Sequence, residues 1–363
     1  MTSDNKSPRV VVAMSGGVDS SVAAALLVEQ GFEVIGMMLR LWSEPGTESH
    51  NRCCTPDSMA LARRVAARLD IPFYAVDAKH VFHDTVVKTF TDGYAQGVTP
   101  NPCLVCNRQV RWEFLLERAL SMGADFMATG HYARLRRDDS GRVQIMRAVD
   151  AHKDQSYVLH VLGQEQLRHA LFPVGEYTKP RIRELAQEFD LPVADRADSQ
   201  DLCFLGNGDY REFLRRNSPE VAQEGQIVTQ YGEVLGQHQG LAFYTIGQRK
   251  GLGIAAPHPL YVLDKDNSRN TLIVGTREEL GHQELVTQGT HWVSGEAPSG
   301  SFRAQVKIRY QAHEAWATVM PAGNGRTNVR FDEPVRDITP GQAAVFYEDE
   351  IMVGGGIIQE AVD

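Results

Sequence analysis

Two groups of residues in this chain have the types and spacing to do chemistry. The first is Ala13-Met14-Ser15-Gly16-Gly17-Val18-Asp19-Ser20-Ser21, between an apolar run and a helical pattern. Paired glycines let a backbone turn tightly and approach an anion closely. The N–H groups that open the helix then face that anion, aided by the helix dipole. Ser15, Ser20 and Ser21 add hydroxyls, and a carboxylate among phosphates, Asp19, suits a Mg²⁺ ligand. The loop has no Gly-Lys-Ser/Thr, so it is not a Walker A loop and holds no lysine of its own for phosphate. A serine-rich helix cap is the plainer alternative.

The second group is sulfur. Cys103 and Cys106 form a C-x-x-C in Thr99-Pro100-Asn101-Pro102-Cys103-Leu104-Val105-Cys106-Asn107-Arg108, and Cys203 follows far downstream in Asp198-Ser199-Gln200-Asp201-Leu202-Cys203-Phe204. The spacing places Cys106 near a helix start, with Arg108 and Arg111 adjacent, a setting that favours thiolate. The same spacing also suits half of a zinc site or a chance pair. Cys53 and Cys54, before a predicted helix, read as buried structural cysteines.

Elements must position these groups. Val10 to Met14, Glu33 to Leu39, Phe73 to Val76 and Phe126 to Gly130 read as buried parallel strands. Ser20 to Gln30, Asp57 to Leu69 and Arg108 to Met122 read as helices, with Trp112 and Phe114 in the core. The pattern is an α/β doubly wound parallel sheet, whose ligands sit at the carboxyl ends of strands. Glycine and turn residues crowd 206–264, and beyond Leu272 short alternating strands such as Ala304 to Arg309, Ala315 to Met320 and Ala343 to Tyr347 predict a small all-β barrel. Gly354 to Gly356 read as a strand bend or barrel corner, and Asp349 with Glu350 as a turn. Three units follow: 1–205, 206–271 and 272–363.

The chain has 363 residues, 42% hydrophobic and 23% charged, with net charge −9 and five cysteines. That composition is globular. An odd cysteine count in a chain this long, with no apolar signal segment, argues for reactive thiols in the cytoplasm rather than disulfide staples. No apolar run is long enough to span a bilayer. Negative net charge disfavours a surface coated by nucleic acid but allows a local basic groove.

Ser15-Gly16-Gly17-Val18-Asp19-Ser20 resembles the pyrophosphate loop of the PP-loop ATP pyrophosphatases. With the cysteine segments, and with Ala128-Thr129-Gly130-His131-Tyr132, Lys153-Asp154-Gln155-Ser156-Tyr157, Thr245-Ile246-Gly247-Gln248-Arg249-Lys250-Gly251-Leu252-Gly253 and Thr339-Pro340-Gly341-Gln342-Ala343, the chain is similar over nearly its whole length to the bacterial tRNA-specific 2-thiouridylases. The resemblance implies ATP-dependent adenylation of the 2-oxygen of the wobble uridine of tRNA, then sulfur transfer from a cysteine persulfide. It implies Cys106 as nucleophile, Cys203 as persulfide carrier and a disulfide between them. ATP contacts map to Ala13, Met14, Ser15, Gly16, Gly17, Val18, Asp19, Ser20, Leu39 and Gly130. The base-holding loop maps to Asn101, Pro102 and Cys103; tRNA contacts map to His131, Lys153, Asp154, Gln155, Arg309, Tyr310 and Gln342. Lys307, Arg249 and Lys250 are further candidates for gripping RNA.

The implied cofactors are ATP and Mg²⁺. The implied partners are tRNA (Lys, Glu and Gln isoacceptors) and a persulfide sulfur-donor protein, with no membrane. Cys103 departs from the Asp that many family members carry there, which removes that residue's acid/base role. It also opens an alternative, a [4Fe–4S] cluster on Cys103, Cys106 and Cys203.

Overall fold

A computed structural model describes residues 7–46, 55–197, 202–205 and 208–362. Cys53 and Cys54 lie outside the described residues. The first sheet contains β1 (Arg9–Ala13), β2 (Glu33–Arg40), β3 (Phe73–Asp77), β4 (Phe126–Thr129) and β7 (Ala170–Leu171), in the order β3-β2-β1-β4-β7. All its pairings are parallel. The chain runs outward from β1 to β3 and then returns to the other side of β1. The reversal leaves a crevice at the carboxyl ends of β1 and β4, the ligand position of such sheets. Val10, Val11 and Val12 are wholly buried, as a strand covered on both faces requires. Helix α1 (Val18–Glu29) is buried along nearly its whole length, which explains why it is apolar on every side.

The central sheet has β8 (Gly225–Thr229), β9 (Val234–His238), β10 (Tyr261–Asp266) and β11 (Thr271–Gly275), in the order β10-β11-β8-β9. The third is a closed barrel of six strands: β12 (His282–Trp292), β13 (Phe302–Lys307), β14 (Ala315–Gly323), β15 (Arg326–Val335), β16 (Ala343–Glu348) and β17 (Ile351–Val362). Pairing of β12 with both β15 and β17 closes it. Closure removes the exposed sheet edge.

The barrel is joined to the first body through hydrogen bonds. The hairpin of β5 (Arg134–Arg137) and β6 (Val143–Met146) extends its sheet, with Ile351 opposite Met146 and Met352 opposite Ile145. Arg147 packs 3.9 Å over the Tyr347 ring and pairs with Glu314 at 2.6 Å. Asp349 and Glu350 form the predicted turn. The triple glycine differs from expectation: it lies inside β17. A Cβ on Gly354 would stand 2.4 Å from the His291 carbonyl oxygen, and one on Gly355 2.8 Å from that of Ala344. Close approach of strands, not a corner, demands glycine there.

Candidate nucleotide and thiol site

β1 delivers the chain into the loop at Met14, whose N–H donates to Met37 O of β2 at 2.8 Å. Gly16 has φ +71°, and a Cβ on it would lie 2.3 Å from Ser58 O, so only glycine fits. Arg196 fixes this turn, donating to Gly16 O at 2.6 Å and to Ser58 Oγ at 2.7 Å. Gly17 caps α1 with no side-chain acceptor on the first-turn amides. An α-helix start that no side chain caps is a ready anion site. Gly130, past the end of β4, presses on this start: a Cβ there would stand 2.7 Å from Ser20 N and 2.8 Å from Asp19 C. Leu39 sits near the carboxyl end of the adjacent β2. The residues matched to ATP thus converge on one crevice.

Two loop hydroxyls behave differently from expectation. Ser21 is fully buried and donates to Gly17 O at 2.8 Å, and Ser20 Oγ donates to the same carbonyl at 3.3 Å. Both close the first turn of α1. The missing lysine comes from elsewhere: Lys179, first residue of the helix Lys179–Glu188, brings Nζ within 2.6 Å of Asp19 Oδ1. The Tyr132 hydroxyl donates to the same oxygen at 2.8 Å. Lys179 is 7% exposed. Neither Lys179 nor Arg196 was legible in sequence, because each reaches the loop from some 160 to 180 residues away.

The thiols occupy an adjoining apolar cluster. Asn101 caps the turn Pro102–Val105, its side chain accepting from Cys103 N at 3.1 Å. Helix continues from there as the π-wound stretch Cys106–Leu115 and then Leu116–Ser121. Cys103 is therefore the exposed cysteine of the first turn, and Cys106 is buried one turn in, beyond the strongest reach of the dipole. Of the two arginines, Arg111 reaches Asn107 Oδ1 at 2.9 Å and His131 Nε2 at 3.3 Å, and Arg108 pairs with Glu113 at 3.4 Å. Trp112 is fully buried and Phe114 half-buried. Cys203 packs against the same cluster as Cys106, next to Phe204, whose ring meets Phe82, Phe90 and Phe213 edge-on. Residues some hundred positions apart in sequence thus belong to one apolar cluster. No disulfide joins Cys103, Cys106 or Cys203. Among the described residues no group of three His, Cys, Asp or Glu is arranged to hold a metal.

The residues matched to tRNA divide into two kinds. Tyr310 is 36% exposed and stands beside Gln155, Asp154 and Cys103. Gln155 Oε1 accepts from Tyr132 N at 3.1 Å. Arg249 and Lys250 are exposed. The others face inward. Asp154 is buried, and its carboxylate accepts from Ala148 N at 2.9 Å and Ser156 Oγ at 2.8 Å. Arg309 donates to Ile246 O at 2.9 Å and to Thr339 Oγ1. Lys307 stands 3.6 Å from Glu314. Gln342 donates to Thr99 O at 2.8 Å. His131 is buried, with Nδ1 2.7 Å from Thr129 Oγ1. Burial and then Arg111 push its pKa down to about 3.

A family model described as a tRNA methyl transferase HUP domain matches residues 8–207. A tRNA methyl transferase PRC-barrel domain model matches 211–276, and an aminomethyltransferase beta-barrel domain model matches 282–358. The fold and site define a PP-loop nucleotide-using protein with two appended β units. The tRNA-specific 2-thiouridylase MnmA of Moorella thermoacetica is 48% identical over 353 residues, covering 96% of this chain and 99% of that protein. The protein of the same name from Geotalea uraniireducens is 46% identical over 369 residues, covering 100% and 98%. This chain belongs to the tRNA-specific 2-thiouridylase family, sulfurtransferase enzymes that thiolate tRNA. Among solved structures, the U34-tRNA thiolase NcsA from Methanococcus maripaludis with its [4Fe–4S] cluster covers 60% of this chain and 67% of its own at 20% identity. Its TM-score of 0.35 is too low to bear on chemistry. Among the described residues no helix is long and apolar enough to cross a membrane.

Two outcomes follow from this geometry. Gly130→Ala forces a methyl against the start of α1, an overpacking cost of about 1–3 kcal/mol. It should weaken binding of a non-hydrolysable ATP analogue by roughly tenfold or more, read by titration calorimetry. The second outcome concerns pH. His131 and the fully buried His160, whose pKa is pushed down to about 4 by burial, are neutral in the fold. The unfolded chain takes up a proton at each below the ordinary value of 6.5. Stability should therefore fall as pH drops from there toward 4, by up to roughly 1.4 kcal/mol per pH unit for each group. Urea midpoints measured across that range should show the slope, and His160→Gln should lessen it.

Proposed function

We propose that the enzyme adenylates the 2-oxygen of the wobble uridine of tRNA and replaces it with sulfur carried by Cys203. The observation that carries this reading is the link between the nucleotide loop and the helix of Cys106: Arg111 meets His131 Nε2 at 3.3 Å, and Gly130 beside it presses on the start of α1, while Cys106 and Cys203 belong to one apolar cluster. The units 1–205, 206–271 and 272–363 belong to this reading, and the family-model matches to 8–207, 211–276 and 282–358 support them.

The uridine 2-oxygen attacks the α-phosphorus of ATP, and pyrophosphate leaves. The amides of the Gly16–Ser20 turn receive the phosphates, and Lys179 supplies the cation that the loop lacks. Asp19, now paired with Lys179 and Tyr132, would hold Mg²⁺ together with the phosphates, and the ion would neutralise their charge. The terminal sulfur of a Cys203 persulfide then attacks C2 of the pyrimidine. Cys106 attacks the Cys203 sulfur, the S–S bond of the persulfide breaks with its electrons going to the transferred sulfur, and AMP departs. A Cys106–Cys203 disulfide remains, which a dithiol reductant resets.

The uridine must leave its stack to reach this crevice. Tyr310, exposed beside Cys103, is an aromatic face for it, and Asn101 and Pro102 shape the floor. The substrates are assigned as the Lys, Glu and Gln isoacceptors, the sulfur donor as a persulfide-carrying protein, and the compartment as the cytoplasm where those tRNAs work. The alternative of a [4Fe–4S] cluster on Cys103, Cys106 and Cys203 would use the same three thiols, and iron and sulfide analysis of anaerobically purified enzyme separates the two.

Cys106→Ser and Cys203→Ser should each abolish 2-thiouridine formation, read by mass spectrometry of the tRNA, while tRNA-stimulated pyrophosphate release persists. Retained thiolation in both variants overturns the proposal. Lys179→Met should lower pyrophosphate release by roughly 10²-fold, the scale of losing one preorganised charge-stabilising group. Lys179→Arg should keep part of it.

A further inference from the structure

We propose that Gln342 is a positioning residue for the thiol chemistry: with the Pro340–Gly341 turn of the barrel, it seats Thr99 and so fixes the loop that carries Cys103 and Cys106. This inference rests on the proposed function only in taking Cys106 as the reacting thiol. Both backbone groups of Thr99 are held by the barrel. Its N–H donates to Pro340 O at 2.9 Å, and its carbonyl accepts from Gln342 Nε2 at 2.8 Å. Between them Gly341, at φ +91°, lies flat on the Thr99 backbone; a Cβ there would stand 2.8 Å from Thr99 O. Thr99 itself is buried. The neighbouring Tyr157 hydroxyl donates to Ala343 O at 3.0 Å and accepts from Ala343 N at 3.2 Å, with Asn101 beside it.

From Thr99 the displacement has little slack before it reaches the thiols. Pro100 packs on Gly93, where a Cβ would lie 2.9 Å from the ring. Pro102 fixes the helix start, and Asn101 caps Cys103 N. The amide that resemblance assigns to RNA therefore has a buried protein partner. Removing it leaves the Thr99 carbonyl unpaired in an apolar setting, which is costly.

The two roles separate by experiment. Gln342→Ala, with Gly341→Ala as a second variant that pushes Thr99 from the other side, is made in the full chain, and folding is checked by thermal unfolding. The rate of Cys106 alkylation by iodoacetamide, followed on its peptide across pH, should change by about threefold or more without any RNA present. Single-turnover thiolation should fall by about tenfold, while tRNA affinity by filter binding stays within about twofold. Unchanged Cys106 alkylation in folded variants overturns the proposal, whatever the RNA affinity. Absence of 2-thiouridine formation by the unmutated enzyme would instead defeat the functional reading, and the alkylation result would still decide the seating.

Discussion

An apolar cluster built from several distant stretches of chain is the constraint on which the chemistry depends. It gathers Phe82 and Phe90, Cys106 and Val110, Phe204, and Phe213 with Leu241 to Tyr244. No single stretch of these could bury its own apolar side chains. Edge-on aromatic contacts of Phe204 with three rings add about 0.5–1.5 kcal/mol each beyond burial. Phe204 thereby anchors the segment Leu202 to Leu205. Cys203 is placed in part by its neighbour Phe204.

The nucleotide end works by a different principle. There a glycine opens the helix: Gly17 caps α1 and supplies no side-chain cap, while the Ser15 and Gly17 amides donate to loop hydroxyls. Ser20 and Ser21 instead turn back to Gly17 O. Lys179 and Asp19 pair at 2.6 Å, so the lysine is held beside the loop without an unpaired buried charge, and on the proposed function it would be at hand for an incoming phosphate. A phosphate and a cation arriving together exchange one pair for two.

Local chemistry was legible in the sequence and distant packing was not. The loop, the parallel strands, α1 and the barrel strands follow from glycine placement and from residue periods of two and 3.6. The same reading missed Lys179 and Arg196, whose partners lie more than a hundred residues away and follow no local pattern. It put Cys106 at the helix start, but Asn101 and Pro102 begin that helix one turn earlier and leave Cys103 in the favoured place. The resemblance assigns Asp154 and Arg309 to RNA, and the fold gives each a protein partner as well. Type alone cannot tell a charge that seeks solvent from one that satisfies a buried carbonyl or hydroxyl.

That last distinction bears on how an acidic protein holds RNA. With a net charge of −9, several cations near the cleft are already engaged: Arg309 with Ile246 O, Lys307 and Arg147 with Glu314, and Arg111 with His131. These brace the barrel, the central unit and the first body against one another. What stands exposed is an aromatic face at Tyr310 and the basic pair Arg249 and Lys250 on a glycine-rich loop. On the proposed function, stacking and shape would carry a large part of the recognition, as suits a splayed anticodon loop better than a duplex. A rigid brace beneath a small exposed contact set also explains why the barrel touches the cysteine loop directly. An RNA gripped by the barrel is held in the same frame as the thiols that must reach it.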